Sequence, residues 1–157
     1  DAEVSLSLVK GYEKDDTFPF TEVDFSRNEL TSKGLPALVE ICQRCPDLRI
    51  LKLFNNAIDD DGAQEIGEIF RHCQRIEEVH LSHNRFTRKG IDAIVGAADR
   101  ELPRGGERPL WLRLEHNRIE HTEDVARSLE RRFRSVCSRE DRTRCTPRTC
   151  VRGGGIH

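Results

Sequence analysis

One asparagine recurs along the chain at a nearly constant interval, and this repeat constrains the fold more than any other feature. Asn28, Asn56 and Asn84 are 28 residues apart, and Asn117 follows after a further 33 residues. Apolar residues stand three and five positions before each asparagine, and another stands two positions after it. A fixed period of this length indicates that the chain stacks copies of one supersecondary unit.

Each unit is predicted to be a strand followed by a helix. Alternating apolar residues before each asparagine have the period of a strand with one buried face. Thr31, Asp59 and Thr87 then occupy one repeat position, and these residue types favour helix N-caps. Apolar residues at helical spacing follow, which in the first two units are Leu35, Leu38, Ile41, Cys42 and Cys45, and Ala63, Ile66, Ile69, Phe70 and Cys73.

The pattern resembles the leucine-rich repeats of the ribonuclease-inhibitor type, L-x-x-L-x-L-x-x-N-x-L with a glycine before the helix. The second unit carries it as Leu48, Leu51, Leu53, Asn56, Ile58 and Gly62. Phe20 and Ile76 stand where Leu48 does in their own units. The resemblance implies an α/β fold, a short leucine-rich repeat solenoid of about four strand–helix coils. Its parallel sheet would be concave, its helices convex, and its asparagines would bond to backbone between coils.

We expect three segments, in a chain that begins at Asp1 and that we take to be a fragment of a longer protein. Residues 1–19 would form an N-terminal cap or strand, residues 20–136 the repeat domain, and residues 137–157 a basic Cys/His tail. Residues 101–109 are an insertion whose Pro-Arg-Gly-Gly run predicts an exposed loop. In the last helix we expect Thr122 as the cap, with the core positions Ala126, Leu129, Phe133 and Val136.

Composition excludes several classes of function. Charged residues make up 34% of the chain, and apolar stretches are only a few residues long, which excludes a membrane span. The sequence lacks the phosphate-binding loop G-x-x-x-x-G-K, the nucleophile motif G-x-S-x-G and the zinc-protease motif H-E-x-x-H. We therefore predict a non-catalytic protein.

The residues six, four and two positions before each asparagine are predicted to face the concave side, in three rows across the sheet. These rows contain large apolar side chains beside charged ones, which is typical of a protein interface centre. In the competing interpretation Trp111 packs on its own loop and Ile50 is an isolated surface residue. A metal or catalytic role for His80, His83 and His116 is less favoured than a solvated polar face. The predicted protein-binding residues are Ile50, Lys52, Phe54, His80, Trp111 and Arg113.

The six cysteines fall into two sets. Cys42, Cys45 and Cys73 occupy core positions of the repeat, where buried thiols behave as small apolar groups. Three buried free thiols favour a reducing compartment, so we expect an intracellular protein, cytoplasmic or nuclear.

The other cysteines, with the last residue, have the spacing Cys-x7-Cys-x4-Cys-x6-His and resemble the CCCH zinc fingers. The resemblance implies a Zn²⁺ ion bound by Cys137, Cys145, Cys150 and His157. Cys137 lies one position beyond the core register and is expected to leave the packed face. A disulfide among these cysteines and a tail without fixed structure are the alternatives.

Nine arginines lie between residues 127 and 152 against three acidic residues, although the whole chain has a net charge of -2. This asymmetry raises the alternative of an RNA-associated module whose zinc-ordered tail contacts phosphates, in front of an RNA-processing domain. A regulator of a small GTPase is a third hypothesis, since ribonuclease-inhibitor-type repeats occur in such proteins. The predicted phosphate-contacting residues are Arg127, Arg131, Arg134, Arg139, Arg142, Arg144, Arg148 and Arg152.

Overall fold

Four parallel strands form one sheet, and a helix follows each strand. A computed structural model describes residues 16–102, 109–133, 135–138, 145–146, 149–150 and 155–157. The strand predicted before residue 16 and most of the insertion lie outside these ranges. The strands, in sheet order, are β1 (Glu22–Asp24), β2 (Ile50–Lys52), β3 (Glu78–His80) and β4 (Trp111–Arg113). The helices are α1 (Leu35–Gln43), α2 (Ala63–His72), α3 (Arg88–Glu101) and α4 (Thr122–Arg132).

Neighbouring strands pair at the register that the repeat predicts. Val23 lies opposite Leu51, Leu51 opposite Val79, and Val79 opposite Leu112. All four side chains point into the core between the sheet and the helices, where Leu51 and Val79 are completely buried. The predicted short leucine-rich repeat solenoid is confirmed.

The asparagine side chains connect successive coils, as the resemblance implies. The Oδ1 atom of Asn56 accepts hydrogen bonds from the backbone amides of Asn28 and Leu30 in the preceding coil. Its Nδ2 donates to the carbonyl of Phe25 in that coil and to Leu53 in its own. Because strands this short bury backbone groups that no helix or strand satisfies, the asparagine supplies the missing partners.

Asn84 and Asn117 repeat this bonding pattern in the next two coils. Asn84 Oδ1 accepts from the amide of Ile58, and Asn117 Oδ1 accepts from the amide of Phe86. The Asn28 side chain, at the first described coil, donates to the carbonyl of Ser26 in its own coil.

The start of α3 is capped from the preceding coil, which the sequence did not predict. Of the four predicted N-caps, Thr31, Asp59, Thr87 and Thr122, only Thr87 caps its own helix, its hydroxyl accepting from the amide of Lys89 at 3.2 Å. Thr31 and Asp59 precede short 3₁₀ turns, Ser32–Gly34 and Asp60–Gly62, and their side chains form no cap bond. The Asp60 carboxylate reaches the next coil, where it accepts from the amides of Thr87 at 2.8 Å and Gly90 at 3.1 Å.

The two ends of the solenoid depart from the predicted core. Phe20 does not take the buried position of Leu48: it is 51% exposed, and Phe18 is buried instead. The Arg44 guanidinium covers the Phe18 ring at 4.6 Å, which favours this arrangement where no earlier coil is described.

The last helix also differs from its prediction. Thr122, predicted as the cap, is instead the first residue of the helix, and His121 takes the cap position in a left-handed conformation without a side-chain cap bond. The helix buries Val125 and Leu129, whereas Ala126 is half-buried. Phe133 follows the end of α4, and both it and Val136 only partly pack on the core, because the helix has already ended at Arg132.

Candidate binding face and cysteine cluster

The concave face is continuous across the four strands. Glu22, Ile50, Glu78 and Trp111 are successive cross-strand neighbours, and Asp24, Lys52, His80 and Arg113 form a second row. The third predicted row lies just beyond the strand ends, where backbone hydrogen bonds continue, as from the amide of Asn55 to the carbonyl of Ser82. Of the six predicted binding residues, Arg113 is exposed and the other five are half-buried.

Most charges on this face are compensated within the chain. Lys52 Nζ lies 2.5 Å from Glu22 Oε1, His80 Nε2 lies 3.2 Å from Glu78 Oε2, and Arg113 pairs with Glu115 at 3.4 Å. The hydrogen bond to Glu22 raises the pKa of Lys52. Each pair has at least one partner that remains partly accessible to solvent, so each adds little to stability, but together they offset most of the charge in the first two rows.

Asp24 is held ionised at the start of the second row. Partial burial acts to raise the pKa of Asp24, but hydrogen bonds from the Ser26 hydroxyl and amide outweigh it. The positive charge of Lys52 acts in the same direction, and the pKa lies below its usual 3.8. Asp24 therefore accepts these bonds as a carboxylate at neutral pH.

A depression of about 360 Å³ lies where the concave face passes the carboxyl ends of the strands. The Arg27 guanidinium lies over the Phe54 ring at 5.4 Å, a distance at which cation–π attraction operates. Ser82 is 6% exposed, and its hydroxyl forms no hydrogen bond with any described residue. The lining residues are Arg27, Phe54, Asn55, Ser82, His83 and Arg113.

Three lining residues of this depression were missed by the sequence analysis. Arg27, Asn55 and His83 each stand directly before one of the recurring asparagines and adopt positive φ angles of 60°, 57° and 55°. A left-handed residue leaves the alternation of the strand, so period-two reasoning cannot assign it to a face. The available signal was their shared repeat position, which His116 also occupies with φ 59°.

The histidines on and near this face do not form a metal centre among the described residues. The rings of His83 and His116 stack with their centres 4.3 Å apart, whereas His80 is engaged with Glu78. Within the residues that the structure describes, the one group of three metal-ligating side chains consists of cysteines.

The cysteines at repeat positions are part of the core, as predicted. Cys42, Cys45 and Cys73 are all buried, and the Cys73 thiol donates to the carbonyl of Cys42 at 3.4 Å. Burial raises the pKa of all three thiols, that of Cys73 to about 12. Since the thiolate is the reactive form of cysteine, these thiols, which stay protonated at neutral pH, are unreactive.

The remaining cysteines meet at one point after the last helix. The Sγ atoms of Cys137, Cys145 and Cys150 all lie within 4.8 Å of one another, and those of Cys137 and Cys145 are 3.9 Å apart. The expectation that Cys137 leaves the packed face is wrong. The chain turns after α4, the Cys137 amide donates to the carbonyl of Ile156, and the Cys137 side chain is 1% exposed.

His157, the predicted fourth ligand, lies outside this group of thiols. Its ring meets Trp111 edge-on with the ring centres 6.1 Å apart, and both ring nitrogens are shielded from solvent. Trp111 therefore contacts residue 157, while most of the loop before it, on which the competing interpretation depends, lies outside the described residues. That His157 is a metal ligand stays a prediction.

The predicted phosphate-contacting arginines are mostly outside the described residues. Arg127 and Arg131 lie on α4, where Arg127 pairs with Asp124 at 2.9 Å and both arginines are exposed. The remaining six lie outside the described ranges, namely Arg134, Arg139, Arg142, Arg144, Arg148 and Arg152. No helix within the described ranges combines the length and the apolar content that crossing a bilayer requires.

Comparisons with known proteins agree with this architecture, and the chain contains leucine-rich repeats. The family model described as "Leucine Rich repeat" matches residues 19–39, 44–67 and 72–95. The human protein "Leucine-rich repeat-containing G-protein coupled receptor 6" is 38% identical over 66 residues, which are 41% of this chain. The match spans 6% of that receptor, a small part of its length.

A solved structure gives the same result for the fold. "Leiomodin-1 Actin-Binding Site 2 (ABS2)" superposes with a TM-score of 0.55 at 24% identity, covering 80% of this chain and 70% of that one. At this level of identity the likeness supports the fold of a short solenoid. Together the repeats and the fold define the class of protein, a short leucine-rich repeat solenoid, and in this chain a cysteine cluster follows the last helix.

Proposed function

We propose that this chain is a non-catalytic scaffold that binds a protein partner on its concave face. The observation that supports this most directly is the depression at the strand ends. There the Phe54 ring, the Ser82 hydroxyl and the Arg27 guanidinium over the ring open together onto a continuous sheet surface. Concave solenoid faces are extended contact surfaces because every coil contributes a strand to them.

The chemistry of the depression favours a partner with an acidic group next to an apolar one. Arg27 forms no ion pair with the described residues, and the Ser82 hydroxyl has no hydrogen-bond partner among them. Arg113, across the depression, is only weakly paired with Glu115 at 3.4 Å. A carboxylate would satisfy these donors, while an apolar side chain beside it would cover Phe54.

The larger apolar residues are expected to carry most of the binding energy. Ile50 and Trp111 lie in one row two strands apart, and Phe54 lies on the floor of the depression. Buried aromatic residues dominate many interfaces, where truncation costs about 2 kcal/mol or more.

The test compares variants of the two faces as baits in a cell extract. The double variant Phe54→Ala, Trp111→Ala should lose at least tenfold of a specifically retained protein, whereas the convex double variant Gln43→Ala, Gln64→Ala should retain it. Both glutamines are exposed on helices. A protein that is lost equally with both variants, or with the convex one alone, would refute the proposal.

We also propose that Cys137, Cys145 and Cys150 bind Zn²⁺, with His157 as the fourth ligand. Zinc–thiolate bonds of about 2.3 Å in a tetrahedron separate the sulfurs by roughly 3.8 Å. The Cys137 and Cys145 sulfurs, 3.9 Å apart, fit that spacing, whereas a disulfide requires about 2.05 Å. Three thiolates and a neutral imidazole leave a net charge near -1.

Elemental analysis of the purified chain tests the zinc site. We expect one zinc per chain, and the zinc content should fall to background in Cys150→Ser. In His157→Ala the affinity of the chain for zinc should fall at least tenfold. Background zinc in the unsubstituted chain after refolding with the metal would refute the site, and undiminished affinity in His157→Ala would remove only the fourth ligand. The RNA-binding and GTPase alternatives stay predictions.

A further inference from the structure

We infer that the metal ion fastens residues 155–157 onto the open edge of the sheet, where they form a metal-dependent end cap of the solenoid. This inference rests on the zinc site proposed above and adds a role for it. The end cap is defined here as Gly155, Ile156 and His157.

The end cap occupies the place that the strand of a further coil would take. The amides of Leu110 and Leu112 donate to the carbonyls of Gly155 and His157 at 2.8 and 2.7 Å, and the His157 amide donates back to Leu110 at 2.8 Å. On its other side β4 is bonded to the preceding coil, as from the amide of Trp111 to the carbonyl of Glu77. The edge of β4, which would otherwise carry unpaired amides and carbonyls, is thereby paired.

The other side of the end cap is bonded to the segment that bears the first thiol. The Ile156 amide donates to the carbonyl of Ser135 at 2.8 Å, and the Cys137 amide donates to the carbonyl of Ile156 at 2.9 Å. Ile156 thus forms parallel bridges with both Leu110 and Val136. Its side chain is 4% exposed and completes the core at the end of the last coil.

Burial of apolar side chains contributes little to holding this segment in place. From Ser138 to His157, Ile156 is the one buried aliphatic side chain that the structure describes. Three glycines, Gly153 to Gly155, precede Ile156 in the sequence. Glycine loses more conformational freedom on ordering than other residues do. An end cap fastened by one apolar residue would form poorly.

The cysteine cluster lowers the entropic cost of ordering the end cap. Without a cross-link, 18 residues separate Cys137 from Ile156, and closing that loop is unfavourable. A metal ion shared by Cys137, Cys145 and Cys150 leaves five residues between the last thiol and Ile156. Because the bound metal ion holds Cys145 and Cys150 beside Cys137, part of the free energy of metal binding lowers the cost of ordering the end cap.

The end cap also reaches the binding face. His157 lies edge-on to Trp111, which is in the first concave row and is the one tryptophan of the chain. Metal occupancy is therefore coupled to the surroundings of one predicted binding residue. Trp111 fluorescence reports on the end cap without any added label.

The experiment measures amide exchange and Trp111 emission of the full chain, zinc-loaded and after chelation, with the zinc content determined in both samples. Chelation should speed exchange of the Leu112, Ile156 and His157 amides at least tenfold and move Trp111 emission to longer wavelength. The inner amides of Leu53 and Leu81, which bond to the following coil, should change by less than twofold.

Two variants separate the end cap from the zinc site itself. Ile156→Ser should keep one zinc per chain but exchange at Leu112 as fast as the chelated chain, whereas Cys150→Ser should lose both zinc and protection. One zinc per chain with unchanged exchange on chelation would overturn the end cap and leave the zinc site standing. Absence of zinc with protection intact would overturn both.

Discussion

Asn84 donates a hydrogen bond at 2.9 Å to the backbone carbonyl of Leu53, one full coil earlier, and is 7% exposed. Its Oδ1 atom accepts from the Ile58 amide of the same earlier coil at 3.1 Å. One side chain thus satisfies a buried acceptor and a buried donor of its neighbour. The asparagine repeat seen in the sequence is therefore a set of connections between coils.

Replacing Asn84 should be much more costly than replacing the first asparagine. Asn84→Ala leaves several buried backbone groups without partners, and we expect a loss of about 2–4 kcal/mol. Asn28→Ala removes a bond to its own coil at an exposed position, and about 0.5 kcal/mol is expected. Urea unfolding followed by circular dichroism measures both losses. Equal losses would contradict the role of the asparagine side chains in connecting the coils.

Asp60 forms the cross-coil cap, and its exposed neighbour Asp61 provides a matched control for testing it. Asp60→Ala removes the acceptor of the Thr87 and Gly90 amides at the start of α3, so we expect a loss of about 1–2 kcal/mol. Asp61→Ala, one residue further on, should change stability by less than about 0.5 kcal/mol. Thermal unfolding of the two variants distinguishes them, and a larger effect at Asp61 would disprove the cap.

Gly62 and Gly96 should respond in opposite ways to alanine. A Cβ at Gly62 would lie 2.6 Å from Leu35 Cδ1 and 2.8 Å from Ile58 Cγ2, so Gly62→Ala should cost about 1–3 kcal/mol. At Gly96, inside α3, the nearest atom is Phe133 Cζ at 3.4 Å, and helix propensity favours alanine by up to about 1 kcal/mol. Calorimetric melting of both variants provides the test. A stabilised Gly62→Ala would show that the coils are less tightly packed than described.

Alkaline pH should destabilise the fold through the buried thiols. Burial raises the pKa of Cys73 from 9.0 to about 12, so the unfolded chain loses this proton first as the pH rises above 9. Stability should therefore be intact below pH 9 and fall by about 1.4 kcal/mol per pH unit for this thiol up to pH 12.

The matched control for that prediction is Cys73→Ala. This variant is expected to be less stable at pH 8 because it leaves a small cavity, but its stability should fall less steeply above pH 9. Denaturant unfolding at pH 8, 9 and 10 gives both slopes. Identical slopes for the two proteins would show that Cys73 ionises as readily in the folded chain as in the unfolded one.

The sequence predicted those parts of the fold that repeat. The asparagine spacing predicted four coils, and the alternation of residues such as Leu51 and Leu53 assigned the buried and concave faces. It did not predict the cross-coil cap of Asp60, because that bond depends on how two coils stack and not on residues within one unit. Phe18 replaces Phe20 in the core for a related reason: the described residues include no earlier coil that would fix the repeat register there.

The site was predicted where it follows the strand alternation and missed where it does not. Lys52, His80 and Phe54 lie on the expected face, whereas Arg27 and His83 reach the depression through left-handed backbone that no periodicity reveals. The meeting of Cys145 and Cys150 with Cys137 was expected from their spacing. The burial of Cys137 was not, because it requires the partner segment around Ile156, which is distant in sequence.

Footprinting of the chain in complex with its retained partner shows whether the partner lies on the concave face. Hydroxyl radicals oxidise exposed aromatic and imidazole side chains, so Phe54, His83 and Trp111 report on the concave face and His72, exposed on α2, reports on the convex one. We expect at least threefold slower oxidation of Phe54 and His83 in the complex, with His72 unchanged. Slower oxidation at His72 while Phe54 and His83 keep their free rates would contradict this expectation.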